Sequence, residues 1–169
     1  GIPSVVYGFF GLVVIVPAVR QLFGGGKSVF TAALLLAIMI LPTIISISEA
    51  ALRSVPQSYY EGALALGATK ERAIFGVSLP AARSGVSAGI ILGIGRAIGE
   101  TTAIVMIAGN QPIIPNSIFS GVRTLTTNII LEMGYAQDLH REALIATAAV
   151  LFIFVLLINL LFSALKKTS

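Results

Sequence analysis

Residues 143–165 read ALIATAAVLFIFVLLINLLFSAL, a run without a charged residue. An α-helix needs about 20 consecutive apolar residues to cross the hydrocarbon core of a bilayer, so this run predicts a spanning helix. Residues 1–19 and 28–48 are also uncharged and of similar length. A fourth run, residues 85–108, is long enough to span but carries two charged side chains. The sequence therefore predicts about four spanning helices.

The composition also favours a membrane protein. Of the 169 residues, 56% are hydrophobic and 11% are charged, whereas soluble domains carry about 25% charged residues. The net charge is +4, but the basic residues form no stripe interleaved with aromatic residues, which argues against a nucleic-acid-binding protein. The absence of cysteine excludes disulfides and cysteine-ligated metals. We predict an all-α polytopic membrane protein in contact with lipid.

The distribution of Lys and Arg predicts the orientation in the membrane. Residues 49–84 and the C-terminus carry six of these residues, and the opposite side, which includes the loop 109–142, carries four. Because cytoplasmic loops have an excess of Lys and Arg, the bias places residues 49–84 and the C-terminus in the cytoplasm. We expect a multi-pass protein of the cytoplasmic (inner) membrane. The start at Gly1, without an initiator Met or a charged leader, favours the C-terminal portion of a longer protein.

The predicted cytoplasmic loop contains a short amphipathic segment at residues 58–66. Ser58 and Glu61 have the spacing of a capping box at a helix start, and Gly67 suits the left-handed position at a helix end. Such a helix can lie on lipid headgroups or dock in a groove of a partner protein. Its predicted apolar face consists of Tyr59, Tyr60, Leu64 and Leu66.

The residues around this segment have the spacing of a known motif. Glu61-Gly62-Ala63 is followed after three residues by Gly67, and after nine more by Val77-Ser78-Leu79-Pro80. This pattern resembles the EAA motif of ABC-importer permeases, with Gly in place of the first Ala and Val in place of Ile. The resemblance implies a coupling helix that inserts into an ATP-binding subunit. The coupling residues that it implies are Tyr59, Glu61, Gly62, Ala63, Leu64, Gly67, Leu79 and Pro80.

The two charged side chains within residues 85–108 point to a solute path. A charge at the centre of a span costs about 2.5–3.5 kcal/mol on the insertion scale, so it needs compensation. Arg96 and Glu100 are four residues apart and, on a continuous helix, can form an ion pair that fixes packing. Alternatively, both face a water-filled path, in which the guanidinium binds an oxyanion bidentately. The two interpretations are compatible, and Thr101 is a third candidate path residue.

The run Arg96-Ala-Ile-Gly-Glu-Thr closely resembles the same stretch of phosphate-specific permeases, the PstA/PstC family. Residues 1–8, 123–126 and 140–144 also resemble this family, so the likeness covers essentially the whole chain and leans towards PstC. It implies a permease domain of the MetI-like fold. It also implies transport of inorganic phosphate. Other oxyanions (sulfate, molybdate, tungstate) remain alternatives, and a passive anion channel or a membrane scaffold is a more distant one.

The same resemblance implies the partners. They are a sister permease subunit, a dimer of ATP-binding subunits and an extracytoplasmic phosphate-binding protein. We expect no cofactor and no ATPase site in this chain, with ATP and Mg bound by the partner subunit. The run GGGKS at residues 24–28 resembles the end of a P-loop, but Gln21 stands where the first glycine is required, so a turn is expected.

Four further features predict packing or polar contacts. Glycines at four-residue spacing predict close approach to another helix; they are Gly85, Gly89, Gly93 and Gly99. His140, the only histidine, is expected to be solvated rather than a metal ligand. Asn159 predicts a hydrogen bond between helices. Arg123 either attracts the anion or an acidic partner surface, or is a solvated loop residue.

Overall fold

The computed structural model describes residues 2–167, without the side chains at 163 and 165–167. Within this range the regular structure is helical, which confirms the predicted fold class. The helices are α1 (Ser4–Phe23), α2 (Val29–Arg53), α3 (Gln57–Ala65), α4 (Lys70–Ala81), α5 (Arg83–Ile98), α6 (Thr102–Ile107), α7 (Leu125–Glu132) and α8 (Asp138–Lys167). Helices α1 and α4 contain π-helical turns at Gly11–Ile15 and Ile74–Ser78.

Three of these helices are long and apolar enough to cross a membrane. They are α1, α2 and α8, with mean hydropathies of 1.8, 2.4 and 2.9 in their most apolar windows. Helices α4 and α5 pass the same test together but are bent by 68°, so they form a broken span or a re-entrant pair. Only 6% of the apolar window of α8 is buried within the chain. Its surface is therefore left for lipid or for other chains.

Residues 85–108 do not form the single helix that their apolar composition predicts. Helix α5 ends at Ile98, and α6 begins at Thr102. Glu100 accepts a hydrogen bond from the Ala103 amide (3.1 Å), and the Thr101 hydroxyl donates to the Gly99 carbonyl (3.2 Å). Side-chain hydrogen bonds of this kind compete with the helical ladder and stabilise a break. The predicted loops are also partly helical, since 49–84 contains α3 and α4 and 109–142 contains α7.

The chain divides into two units, Gly1–Met39 with Ala97–Ile158, and Ile40–Arg96 with Asn159–Ser169. In the first unit, Leu35 of α2 and Ile107 of α6 are fully buried in an apolar core that also includes Val19 of α1.

The first unit also fixes the start of α2. The amide groups of Val29 and Phe30 donate to the carbonyls of Ser120 (3.1 Å) and Ile118 (2.8 Å). These bonds satisfy donors that have no partner within the helix itself. Residues 24–28 form a turn, as predicted, and α1 ends at Gly24 with a φ of +78°.

In the second unit, α5 packs closely on the second half of α2 through its glycines. A Cβ at Gly93 would lie 2.6 Å from Ile44 Cγ1, and a Cβ at Gly89 would lie 3.1 Å from Ile47 Cγ2. Gly85 faces Ala51 in the same way. At these three positions the two helices lie as close as glycines at four-residue spacing permit. Gly99 lies in the break after α5, where a Cβ would meet no described atom within 4 Å, so close approach at this position stays a prediction.

Candidate functional site

Helix α3 begins two residues earlier than a cap at Ser58 predicts. Its N-terminal flanking residue is Pro56, and no side chain caps the first turn. The capping box of Ser58 with Glu61 is therefore wrong: Pro56 has a φ of −55° and ψ of 131°, which starts the helix at Gln57. Glu61 instead accepts a hydrogen bond from Gln57 Nε2 (2.8 Å) one turn earlier.

Helix α3 ends at a left-handed glycine, as predicted. Gly67 has a φ of +86°. Its amide donates to the Leu64 carbonyl (2.9 Å), and the Ala68 amide donates to the Ala63 carbonyl (3.1 Å). These two bonds form a Schellman motif, which satisfies carbonyls at the helix end and requires a residue that tolerates positive φ.

The apolar residues of α3 do not form the single face that their spacing predicts. Tyr60 and Leu64 are half-buried, whereas Tyr59 is 53% and Leu66 is 91% exposed. The exposed side borders a groove of about 690 Å³ between α3 and α4. This α3 groove is lined by Ser58, Tyr59, Gly62, Ala63, Leu66, Ala68, Arg72, Gly76 and Val77. Tyr59 and Leu66 therefore place exposed apolar surface at the edge of this groove.

Leu79 and Pro80 lie at the end of α4, immediately before the bend into α5. The π-helical turn Ile74–Ser78 precedes them, and Ala82 separates the two helices. Proline has no amide to donate and clashes with the preceding turn, so helices bend or end near it. The Leu-Pro part of the motif therefore marks the point at which the chain turns from the α3 groove into α5.

Arg96 lies in the last turn of α5 and is exposed. It lines a cleft of about 520 Å³ together with residues of α5 and the end of α8. This Arg96 cleft is lined by Ala88, Ile91, Leu92, Gly95, Arg96, Asn159 and Phe162. Within the described part of the chain, no ion pair is recorded for Arg96. Its donors are therefore available in a largely apolar cleft.

Glu100 and Thr101, the other two predicted path residues, hold the break after α5. Because α5 ends at Ile98, Arg96 and Glu100 do not share the face of a continuous helix, and the predicted basis for their ion pair is wrong. The Glu100 carboxylate bonds the Ala103 amide at the start of α6. Glu100 also lines a separate pocket of about 210 Å³ in the first unit, beside Thr124 and Thr126.

Arg123 belongs to a polar network that the sequence did not predict. Its Nε donates to the Asn110 carbonyl (3.1 Å), and its Nη1 donates to Glu132 Oε1 (2.6 Å) and Asn128 Oδ1 (3.4 Å). The side chains of Arg123 and Glu132 are 22% and 18% exposed. Arg123 is thus not a solvated loop residue, because its Nε and Nη1 donors are used within the chain. Its partner is nine residues away across the start of α7, a spacing with no regular sequence signal.

The second oxygen of Glu132 completes this network. It accepts a hydrogen bond from the Tyr135 hydroxyl and lies 3.8 Å from His140 Nε2. The hydrogen bond from Tyr135, followed by the contact with Arg123, lowers the pKa of Glu132 against the opposing effect of burial. The same bond to Glu132 raises the pKa of Tyr135. The network therefore favours an ionised Glu132 and a protonated Tyr135.

Comparison with known protein families shows the family of the chain. The profile of the family described as "Binding-protein-dependent transport system inner membrane component" matches residues 1–168. The chain belongs to this family. The apolar helices and the all-helical regular structure of the described residues agree with this assignment to inner membrane components.

Relatives within this family include a probable ABC transporter permease and phosphate transport permeases. The chain is 44% identical to the probable ABC transporter permease protein YqgH of Bacillus subtilis, over 98% of the chain and 56% of that protein. It is 36% identical to the phosphate transport system permease protein PstC of Haemophilus influenzae, over 95% of the chain and 58% of that protein. It is 34% identical to the phosphate transport system permease protein PstC of Mesorhizobium japonicum, over 94% of the chain and 55% of that protein.

The predicted likeness to phosphate-specific permeases is thereby confirmed. The chain spans about half the length of the curated relatives that it matches. No solved structure is significantly similar to the chain.

Proposed function

We propose that this chain forms part of the permease subunit of an ATP-driven importer that moves inorganic phosphate across the cytoplasmic membrane. One observation carries the proposal: a single unit contains both the exposed α3 groove and the Arg96 cleft, joined by the bent pair of α4 and α5. An importer needs such a connection between a surface that receives mechanical work and a polar group on the solute path.

The α3 groove is the proposed contact with an ATP-binding subunit. Tyr59 of α3 and Leu66, the residue that follows α3, are exposed, and the surface at Gly62 is open, since a Cβ there would meet no described atom within 4 Å. ATP and Mg are bound and used by the partner, in a dimer of ATP-binding subunits. Closure of that dimer moves α3, and the movement passes through α4 and the bend after Pro80 to α5.

Arg96 is the proposed contact with the anion. A guanidinium presents a planar fork of donors that fits the oxygens of phosphate, and a largely apolar cleft strengthens the attraction. Glu100 and Thr101 act indirectly, because their hydrogen bonds hold the break that ends α5 two residues after Arg96. An extracytoplasmic binding protein delivers phosphate to the outer mouth, and the anion passes Arg96 by alternating access.

The proposed setting is a multi-pass assembly with a sister permease subunit. The excess of Lys and Arg in residues 49–84 and at the C-terminus supports a cytoplasmic position for both. The largely unburied α8 supports contact with lipid or with the sister subunit. The relatives named PstC support phosphate as the solute.

Another tetrahedral oxyanion is the alternative substrate, because the fork of Arg96 fits sulfate, molybdate or tungstate as well as phosphate. A passive channel or a scaffold is disfavoured, because neither needs the exposed α3 groove.

The test uses the full-length protein with its partners in cells that lack other phosphate uptake. Labelled phosphate is supplied with unlabelled sulfate, molybdate or tungstate, and the complex is then purified. We expect ATP-dependent uptake that the other anions do not displace, and an ATP-binding subunit that co-purifies. Displacement by another anion would favour the alternative substrate, and a permease that purifies alone would contradict the importer.

The α3 groove is tested by Leu66→Asp, which places a charge on the most exposed apolar residue that lines it. We expect the ATP-binding subunit to be lost from the purified complex and uptake to fall with it. Leu139→Asp is the matched control, since Leu139 is 78% exposed but lies in the first turn of α8. Equal retention of the ATP-binding subunit in both variants would contradict the proposed docking surface.

A further inference from the structure

Asn159 is an unusual residue in its place on α8. It is the only polar residue between Ala148 and Phe162. Its side chain is exposed, and no hydrogen-bond partner is recorded for the amide among the residues described. The predicted hydrogen bond to another helix is therefore not formed within the described chain. An amide without a partner is costly in hydrocarbon, so its position calls for a polar ligand.

Asn159 and Arg96 are the two strongly polar side chains that line the Arg96 cleft. The volume of this cleft, about 520 Å³, is in the range of sites that bind small molecules, about 300–1,000 Å³. Gly95 lies beside the amide, since a Cβ at that position would be 4.0 Å from Asn159 Oδ1. The amide thus faces the same space as the arginine.

The two side chains offer different hydrogen-bonding groups. The guanidinium of Arg96 has five N–H donors and no acceptor, whereas the amide of Asn159 has two donors and a carbonyl acceptor. Phosphate at neutral pH carries at least one hydroxyl group, which needs an acceptor. Sulfate is fully ionised and carries none. A cleft with Arg96 alone suits both anions, and a cleft with Arg96 and Asn159 satisfies a hydroxyl-bearing anion more completely.

We propose that Asn159 is a second anion-binding residue and that its carbonyl favours oxyanions carrying a hydroxyl group, such as phosphate, over fully ionised ones such as sulfate. This inference rests on the proposed function of Arg96. One hydrogen bond of this kind corresponds to a preference of about fivefold. The binding protein selects the solute first, and Asn159 adds a second selection within the membrane.

The test uses a single reporter thiol in the cleft, which is possible because this chain contains no cysteine. Ala88→Cys is introduced into the full-length protein, assembled with its partners and freed of any other cysteine. The rate of modification by an uncharged thiol reagent is measured in membrane vesicles, with and without ATP, at increasing inorganic phosphate or sulfate. Ile90→Cys is the control reporter, on the same helix but outside the lining of the cleft.

We expect phosphate to slow the modification of the thiol at position 88 as much as sulfate does at about five times the concentration. Neither anion should change the rate at position 90. Asn159→Leu should bring the two concentrations together, and Arg96→Ala should remove protection by both anions. An unchanged ratio in Asn159→Leu, with protection lost in Arg96→Ala, would overturn the role of Asn159 and leave the proposed function standing. Protection that survives Arg96→Ala, or no protection by either anion, would overturn both.

Discussion

Arg96 and Arg123 are both single arginines in a largely apolar chain, but they differ in how their donors are used. Arg123 is 22% exposed and donates to Asn110, Asn128 and Glu132. Arg96 is exposed in an apolar cleft, and within the described residues it has no recorded ion pair. A guanidinium whose donors are used by the chain holds structure together, whereas one whose donors remain available can bind a passing anion.

The largest effect on stability is expected from Arg123→Ala. The substitution leaves Glu132 without its cationic partner and the Asn110 carbonyl without its donor, both of them partly shielded from water. We expect the apparent Tm of the purified full-length complex to fall by about 4–8 °C. Phosphate uptake per assembled complex should stay near the wild-type value. A loss of uptake without a loss of stability would remove the distinction between the two arginines.

A smaller effect is expected from Glu132→Gln. The amide keeps the size of the carboxylate and one acceptor, but it loses the charge that Arg123 and Tyr135 contact. We expect the apparent Tm to fall by about 2–4 °C. In the double variant with Arg123→Ala, the decrease in apparent Tm should be smaller than the sum of the two single-variant decreases, because both substitutions remove the same interaction. Full additivity would show that the two residues do not act as a pair.

The same network predicts a dependence of stability on pH. The pKa of Glu132 is lowered in the folded chain, so its contribution is present above the ordinary value of 4.5 and is lost as the pH falls through the folded pKa. The pKa of Tyr135 is raised, so its contribution is present below 10.0 and is lost as the pH rises through the folded pKa. Thermal unfolding across this range should show both losses. Tyr135→Phe should weaken the loss of stability at alkaline pH. An alkaline loss as large as that of the wild type would contradict its attribution to Tyr135.

The smallest effect is expected from Arg53→Ala. Arg53 pairs with Glu49 at 2.9 Å, but the two side chains are 78% and 56% exposed. Exposed ion pairs contribute little because solvent screens them. We expect a change in apparent Tm below about 2 °C and unchanged uptake. This variant is therefore the control for the removal of any arginine. A large change in Tm or uptake would show that the loss of an arginine has this effect whatever its environment.

The sequence predicted the features that depend on regular spacing. Uncharged runs of about 20 residues identified α1, α2 and α8, because crossing a bilayer sets a minimum apolar length. The glycines at four-residue spacing identified the face of α5 that meets α2, because small residues permit close approach. Gly67 was recognised as the end of α3, because a helix end favours a residue at positive φ.

The features that the sequence did not predict depend on contacts without regular spacing. The break after Ile98 is held by Glu100 on the Ala103 amide, and an apolar run does not reveal where a carboxylate will bind the backbone. The pairing of Arg123 with Glu132 requires the turn that starts α7. The presence of Arg96 and Asn159 in one cleft depends on how α5 and the end of α8 lie together.

The central claim is that Arg96 acts on the anion while Arg123 acts on the fold. The most direct test measures labelled phosphate uptake and the amount of assembled complex for Arg96→Ala and Arg123→Ala in the full-length protein with its partners. We expect Arg96→Ala to assemble normally and to lose at least about tenfold in uptake per complex, and Arg123→Ala to assemble less well and to transport normally per complex. Normal uptake in Arg96→Ala would contradict the account.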